Sequence, residues 1–224
     1  MGSTVTGTRS RPTMRSAVLG RVRLLRLAGA LLFIAGAGVF MGIITAESLY
    51  PGAYTTGASM ISDLGGTEPP NSIVLQPSAT IFDITMMAGG ALIILGAAGL
   101  YAATRRKAVV IPTLLFGIGA LFVGIFPGHT GGIHELFAML TFVSGGVAAV
   151  LSSRVLVGPL RTIAVVLGAI ALVNFGAYIV LEDAWFVTGL GLGGLERWIA
   201  YPIIFWLVAF GGYLMGARTD DRRT

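Results

Sequence analysis

Six runs of about twenty mostly apolar residues constrain this chain more than any other feature, because about 20 such residues in a helix cover the hydrocarbon core of a bilayer. The runs fall at 25–45, 79–103, 108–126, 134–151, 159–181 and 198–216. Lipid offers backbone N–H and C=O groups no partner, so each run must bond its own backbone, and a helix does so. A soluble alternative fails on charge. Only 11% of the 224 residues are charged, whereas a soluble domain carries about 25%. The expected fold class is all-α: a polytopic membrane protein of six transmembrane helices. One membrane domain is expected over 25–216, between a disordered basic tail, 1–24, and a short tail, 217–224.

The basic residues orient the helices. Arg9, Arg11, Arg15, Arg21, Arg23 and Arg26 precede or edge the first run, and Arg105, Arg106 and Lys107 fill the second connection. Arg154 and Arg161 flank the fourth connection, and Arg218, Arg222 and Arg223 follow the last run. Of the 15 lysines and arginines, only Arg197 lies in the first, third or fifth connection. Lys and Arg are retained on the cytoplasmic side, so the alternation places both termini there and the protein in the plasma membrane. The first run follows a basic stretch, as a signal peptide does. It exceeds the roughly 7–15 apolar residues of a signal core and is expected to be a retained helix. Because topology accounts for the net charge of +5, membrane lipids, not nucleic acid, are the expected partners. There is no cysteine, which excludes disulfides, thiolate metal sites and cysteine nucleophiles.

All the acidic residues except Asp220 and Asp221 gather at the opposite ends of the helices: Glu47, Asp63, Glu68, Asp83, Glu135, Glu182, Asp183 and Glu196, with His129 and His134 beside them. A site built from these groups opens to the extracytoplasmic face. The connection 46–78 is long, and long loops are usually functional or disordered. This one carries Leu49, Tyr50, Tyr54, Met60, Ile61, Leu64, Ile73, Val74 and Leu75 among its prolines and glycines. It is therefore expected to fold as a cap over the helix ends.

Candidate site residues follow from depth and chemistry. Asp63 precedes a glycine and reads either as a turn cap or as part of a site. Asp83 lies about one turn inside the second run, where a carboxylate is costly and needs a partner; it is an interhelical bond or a ligand or proton site. His129 and His134 are not at the i, i+4 spacing of a helical zinc pair, so no metal site is assigned and interfacial hydrogen bonding is expected. Glu196–Arg197 supplies the one external cation. Arg197 suits a phosphate or carboxylate headgroup, or pairs with Glu182, Asp183, Asp83 or Asp63. Convergence of Asp63, Asp83, His134 and Arg197 is expected. Gly38 with Gly42, and the pairs Gly89–Gly90, Gly145–Gly146 and Gly211–Gly212, read as close helix contacts. The sequence holds no Walker motif, nucleophile elbow or His-Glu-x-x-His, and it names no cofactor.

Ile61-Ser62-Asp63-Leu64-Gly65, then Pro69-Pro70, Phe126-Pro127 with His134 opening the next run, and Gly194-Leu195-Glu196-Arg197 before the last occur in an order that resembles a prokaryotic membrane family, domain of unknown function 998. The first portion is similar to the wider superfamily of FGF-receptor-activating protein and the damage-regulated autophagy modulators. The resemblance covers 25–216 and implies a six-helix fold. Its eukaryotic branch, tied to lipid remodelling, lipid distribution and autophagy, implies a lipid-associated role. Asn71 departs from the acidic residue usual there in the eukaryotic segment. The leading expectation is a pocket under the cap that holds a lipid headgroup or small amphiphilic ligand, bound through Asp63, Asp83, His129, His134, Glu196 and Arg197. The alternatives are a membrane-embedded hydrolase or acyl-transfer enzyme, metal-assisted or not, with Asp63, Asp83 and His134 as catalytic candidates, and a small transporter or accessory subunit.

Overall fold

A computed structural model describes residues 14–180 and 185–217. Its six long helices are α1 (Met14–Ser48), α2 (Ser78–Thr104), α3 (Lys107–Ile125), α4 (Gly132–Ser152), α5 (Pro159–Val180) and α6 (Trp185–Met215). Each is long and apolar enough to cross a membrane, and there is no strand among the described residues. Short 3-10 turns, Ser62–Leu64 and Gly128–Thr130, interrupt two of the connections.

The helices pack in chain order as a ring, with α6 closing against α1. Lipid tails are as apolar as leucine, so helices in a bilayer are held by close packing and by interhelical hydrogen bonds, not by the hydrophobic effect. Both devices are present. Gly42 meets Thr85, Gly90 meets Leu121 and Gly117, Gly146 meets Leu172, and Gly211 meets Gly29 and Phe33. Gly38 and Gly212 face open space; in those two pairs only one glycine makes the contact. Trp206 Nε1 donates to Ser152 Oγ at 2.9 Å, joining α6 to the end of α4. The peripheral helix is α5, which buries Ala164, Gly168 and Ala171 while Val173 and Ile179 stay exposed.

Two boundaries differ from expectation. Residues 14–24 are the first turns of α1, not part of a disordered tail. Val22 and Leu25 are buried in register with Ala28, Leu32 and Ala35, so the helical stripe simply continues outward, and the intervening arginines face away from it. Arg26 Nε donates to the Ala217 carbonyl at 3.0 Å, which places the start of α1 beside the end of α6. Residues 1–13 and 218–224 lie outside the described residues.

The second difference is α6, which begins well before residue 198 and breaks at Gly191, where φ is 72°. Its glycine-rich first turns read as loop because glycine weakens helices. They are glycine because the 49–77 segment lies directly on them. A Cβ at Gly191 would overlap the Gly57 carbonyl, and one at Gly193 would overlap that of Ser59. With nothing in the way, Gly193 and Gly194 donate N–H bonds to the Gly57 oxygen at 3.0 and 3.2 Å.

Candidate functional site

The segment between α1 and α2 is seated on the bundle by two adjacent side chains of α6. Arg197 is buried and uses both terminal nitrogens. Its Nη1 donates to the carbonyls of Thr56 and Ser59, both at 2.9 Å, and of Gly193 at 2.8 Å. Its Nη2 donates to Glu47 Oε1 at 2.5 Å and to the Tyr54 hydroxyl at 2.7 Å. The Tyr54 O–H in turn donates to the Met60 carbonyl at 2.9 Å. Three carbonyls, a carboxylate and a hydroxyl take the N–H groups of its two terminal nitrogens, while Nε is buried without a partner among the described residues. The group holds α1, the segment and α6 together.

Glu196, also buried, faces the other way along the same turn. Its Oε2 accepts the Ile61 N–H, and the Ser62 N–H also bonds the carboxylate. These are unpaired amides at the start of the Ser62–Leu64 turn, where a carboxylate is favoured. Asp63 Oδ2 accepts the Met60 N–H at 2.7 Å, the capping role open to an Asp in a turn. Burial pushes the Asp63 carboxyl above the usual carboxylate range, against the opposing pull of the Met60 N–H and of Arg197. Burial likewise raises the Tyr54 hydroxyl.

This arrangement corrects the expected pairing of Arg197. Its carboxylate is Glu47, not Asp83 or Asp63, and Glu182 and Asp183 lie outside the described residues. The reason is geometric. Glu47 belongs to the last turn of α1, and α1 packs against α6, whereas the sequence reading counted Glu47 as loop. Asp83 stands on α2 against Gly65, where a Cβ would lie 2.7 Å from Oδ1, and His129 Nδ1 stands equally close to the Cβ position of Gly66. Both atoms are buried without a hydrogen-bond partner. Gly65 and Gly66 therefore carry the turn over a polar but unpaired spot, separate from the Arg197 group. Among the described residues no cluster of three acidic or histidine side chains is placed to hold a metal ion.

His134 makes a third arrangement. It is 3% exposed, and its Nδ1 lies 2.8 Å from the Phe126 carbonyl. A carbonyl only accepts, so Nδ1 carries the proton, and in the neutral ring Nε2 is left as an acceptor. With Ser62 and Glu196, His134 lines two spaces at once. One is an internal cavity of about 70 Å³ inside the ring, otherwise walled by apolar side chains such as Phe82, Phe116 and Leu207. The other is a groove of about 620 Å³ between α4, α5 and α6, with Glu68 and Glu135 at its polar end and Met139, Phe175 and Ile179 along its apolar length. Ala138 and Phe142 line both. Leu136, Met139 and Ile179, on the groove's flank, are exposed on the outside of the bundle. Neither space is lined by Arg197.

Of the residues singled out in the sequence, then, His134 and Glu196 share a cavity wall, Arg197 and Asp63 hold the cap segment, and Asp83 and His129 stand against its glycines. Sequence reasoning missed Glu47, Tyr54 and Ser62. Ser62 was visible in the quoted Ser-Asp pair; Tyr54 carried no signal beyond its type.

No curated protein and no solved structure matches the chain. Residues 33–213 match the family model described as protein of unknown function (DUF998). That match takes in α2 to α5 whole and reaches into α1 and α6, and this chain of six apolar helices is an integral membrane protein belonging to the DUF998 family.

Proposed function

We propose that this protein binds a membrane amphiphile in the groove between α4, α5 and α6, with the headgroup toward the 49–77 segment. The observation that carries the reading is the groove's gradient. About 620 Å³ of space passes from His134, Ser62 and Glu196 to Met139, Phe175 and Ile179. Ligand sites commonly occupy about 300–1,000 Å³ and combine apolar walls with a few convergent polar groups. The exposed flank of the groove gives a lipid a lateral way in. With the basic helix ends cytoplasmic, as the charge rule has it, the groove's polar end lies at the outer surface of the plasma membrane. The cap role of 49–77 is that of a roof, held by Arg197 and Glu196.

The test uses the full chain reconstituted in vesicles of phosphatidylethanolamine and phosphatidylglycerol, extracted and analysed by native mass spectrometry. Retained lipid is expected on the wild type and is lost in Met139→Trp, which fills the groove. Ile125→Trp, on the exposed face of α3, retains it. Equal retention by all three proteins, or none by the wild type, refutes the assignment. A hydrolase or acyl-transfer reading draws on one feature, the anchored imidazole of His134 on the same wall as Ser62. Release of fatty acid from those vesicles by the wild type but not by Ser62→Ala is its test.

A further inference from the structure

Resting on the amphiphile reading, we infer that the headgroup taken at this site is a protonated primary amine, with His134 Nε2 as the acceptor of one of its N–H bonds. Three observations lead there. The groove wall carries Glu68, Glu135, Glu196 and His134, with the Tyr178 phenol, and no lysine or arginine. Arg197, the one cation at this end of the bundle among the described residues, has both terminal nitrogens taken by the cap segment, α1 and α6 and lines neither space. A buried anion placed in the groove would therefore have no compensating charge. The third observation is independent of the carboxylates. His134 is 3% exposed, its Nδ1–H is committed to Phe126, and Nε2 has no hydrogen-bond partner among the described residues. Nε2 is thus an acceptor on a residue that lines the groove, not one of the sealed, unpaired atoms of the described residues. An ammonium supplies the donor and the charge together, a quaternary amine supplies the charge alone, and a glycerol headgroup supplies donors without the charge.

These distinctions set the experiment. The full-length protein is reconstituted in vesicles of equimolar phosphatidylethanolamine, phosphatidylcholine and phosphatidylglycerol, and the retained lipid is identified by mass spectrometry. Phosphatidylethanolamine is expected to exceed each of the others by about tenfold, the scale of one hydrogen bond to a charged group. His134→Phe removes the acceptor and should bring phosphatidylethanolamine and phosphatidylcholine to parity. Glu135 is exposed at the mouth, so Glu135→Lys leaves the fold intact and should shift retention toward phosphatidylglycerol. Parity of the two amine lipids in the wild type, a preference for phosphatidylglycerol, or ratios unmoved by both substitutions overturns the inference while leaving the amphiphile reading standing. Absence of any retained lipid on the wild type removes the amphiphile reading itself.

Discussion

Replacing Arg197 with alanine removes five donated hydrogen bonds at once. Three of the acceptors are carbonyls, and Thr56 is exposed enough for water to take over its bond. The heavier loss is at Glu47, whose side chain is 19% exposed and would lose its cation, and at Gly193, whose carbonyl faces the same spot. Stranding one member of a buried ion pair costs about 3–5 kcal/mol, and the partial exposure of Glu47 argues for the lower end. A loss of about 3 kcal/mol lowers the melting temperature of a chain this size by roughly 6–12 °C. The assay is thermal unfolding in detergent, followed by limited proteolysis of residues 49–77. Arg197→Lys keeps the charge but has three donors on one nitrogen, so it should fall between wild type and alanine. Glu47→Gln combined with Arg197→Ala should cost less than the sum of the two, because the stranded charge has gone. A melting temperature for Arg197→Ala within about 2 °C of wild type, with the segment still protected, would falsify the clamp.

Gly193→Ala drives a methyl group into the Ser59 carbonyl and should expose 49–77 to protease, whereas Gly212→Ala, which meets nothing, should be neutral or stabilising; indistinguishable digests refute the contact. Asp63 has its folded pKa raised by burial, so its neutral form favours the fold, and that contribution fades as pH rises from the ordinary Asp value through the raised one. Asp63→Asn keeps an acceptor for Met60 without the charge, so its melting temperature relative to wild type should climb as pH rises above the ordinary Asp value of about 4; a flat difference counts against the burial argument. For sidedness, a cysteine at Asn71 should react with an impermeant thiol reagent outside intact cells and one at Ala108 should not, and the reverse pattern inverts the topology.

The parts of this fold governed by period and composition were legible in the sequence. Six helices follow from six apolar runs, and most of their ends fall within a few residues of the expected ones, because the bilayer dictates length. What was not legible depends on which surfaces meet. The first turns of α1 looked like a tail because Arg15, Arg21 and Arg23 interrupt the apolar residues there, yet Val22 and Leu25 suffice to continue the buried stripe. The first turns of α6 fell in the expected fifth connection because the requirement for glycine at Gly191 and Gly193 comes from the 49–77 backbone lying on them, far away in sequence. Arg197 was recognised as needing a carboxylate, but choosing Glu47 over Asp83 requires knowing that α6 closes the ring beside α1. That adjacency is tertiary, and no local pattern encodes it.

The Glu196–Arg197 pair explains why the polar end of the groove is rich in acceptors. Both side chains stand on one turn of α6 and both bind the same segment, Arg197 through the Thr56 and Ser59 carbonyls and Glu196 through the Ile61 amide. The turn thus reads carbonyls with its cation and amides with its anion, which fixes the register of the segment over residues 56–61. Once Arg197 is committed to this task, no other side-chain cation among the described residues lines the groove to meet an anionic guest. His134 and the exposed Glu135 are left to define what enters. On the proposed amine reading, a roof held from below by charge, with neutral and acidic acceptors beneath it, would select against phosphate alone and in favour of a donor. On this argument, introducing a cation into the groove should change which lipid is held, whereas weakening the clamp should change how firmly any lipid is held. Measuring composition and off-rate on Glu135→Lys and Arg197→Lys separates the two effects, and a composition change in Arg197→Lys as large as that in Glu135→Lys would contradict the division of labour.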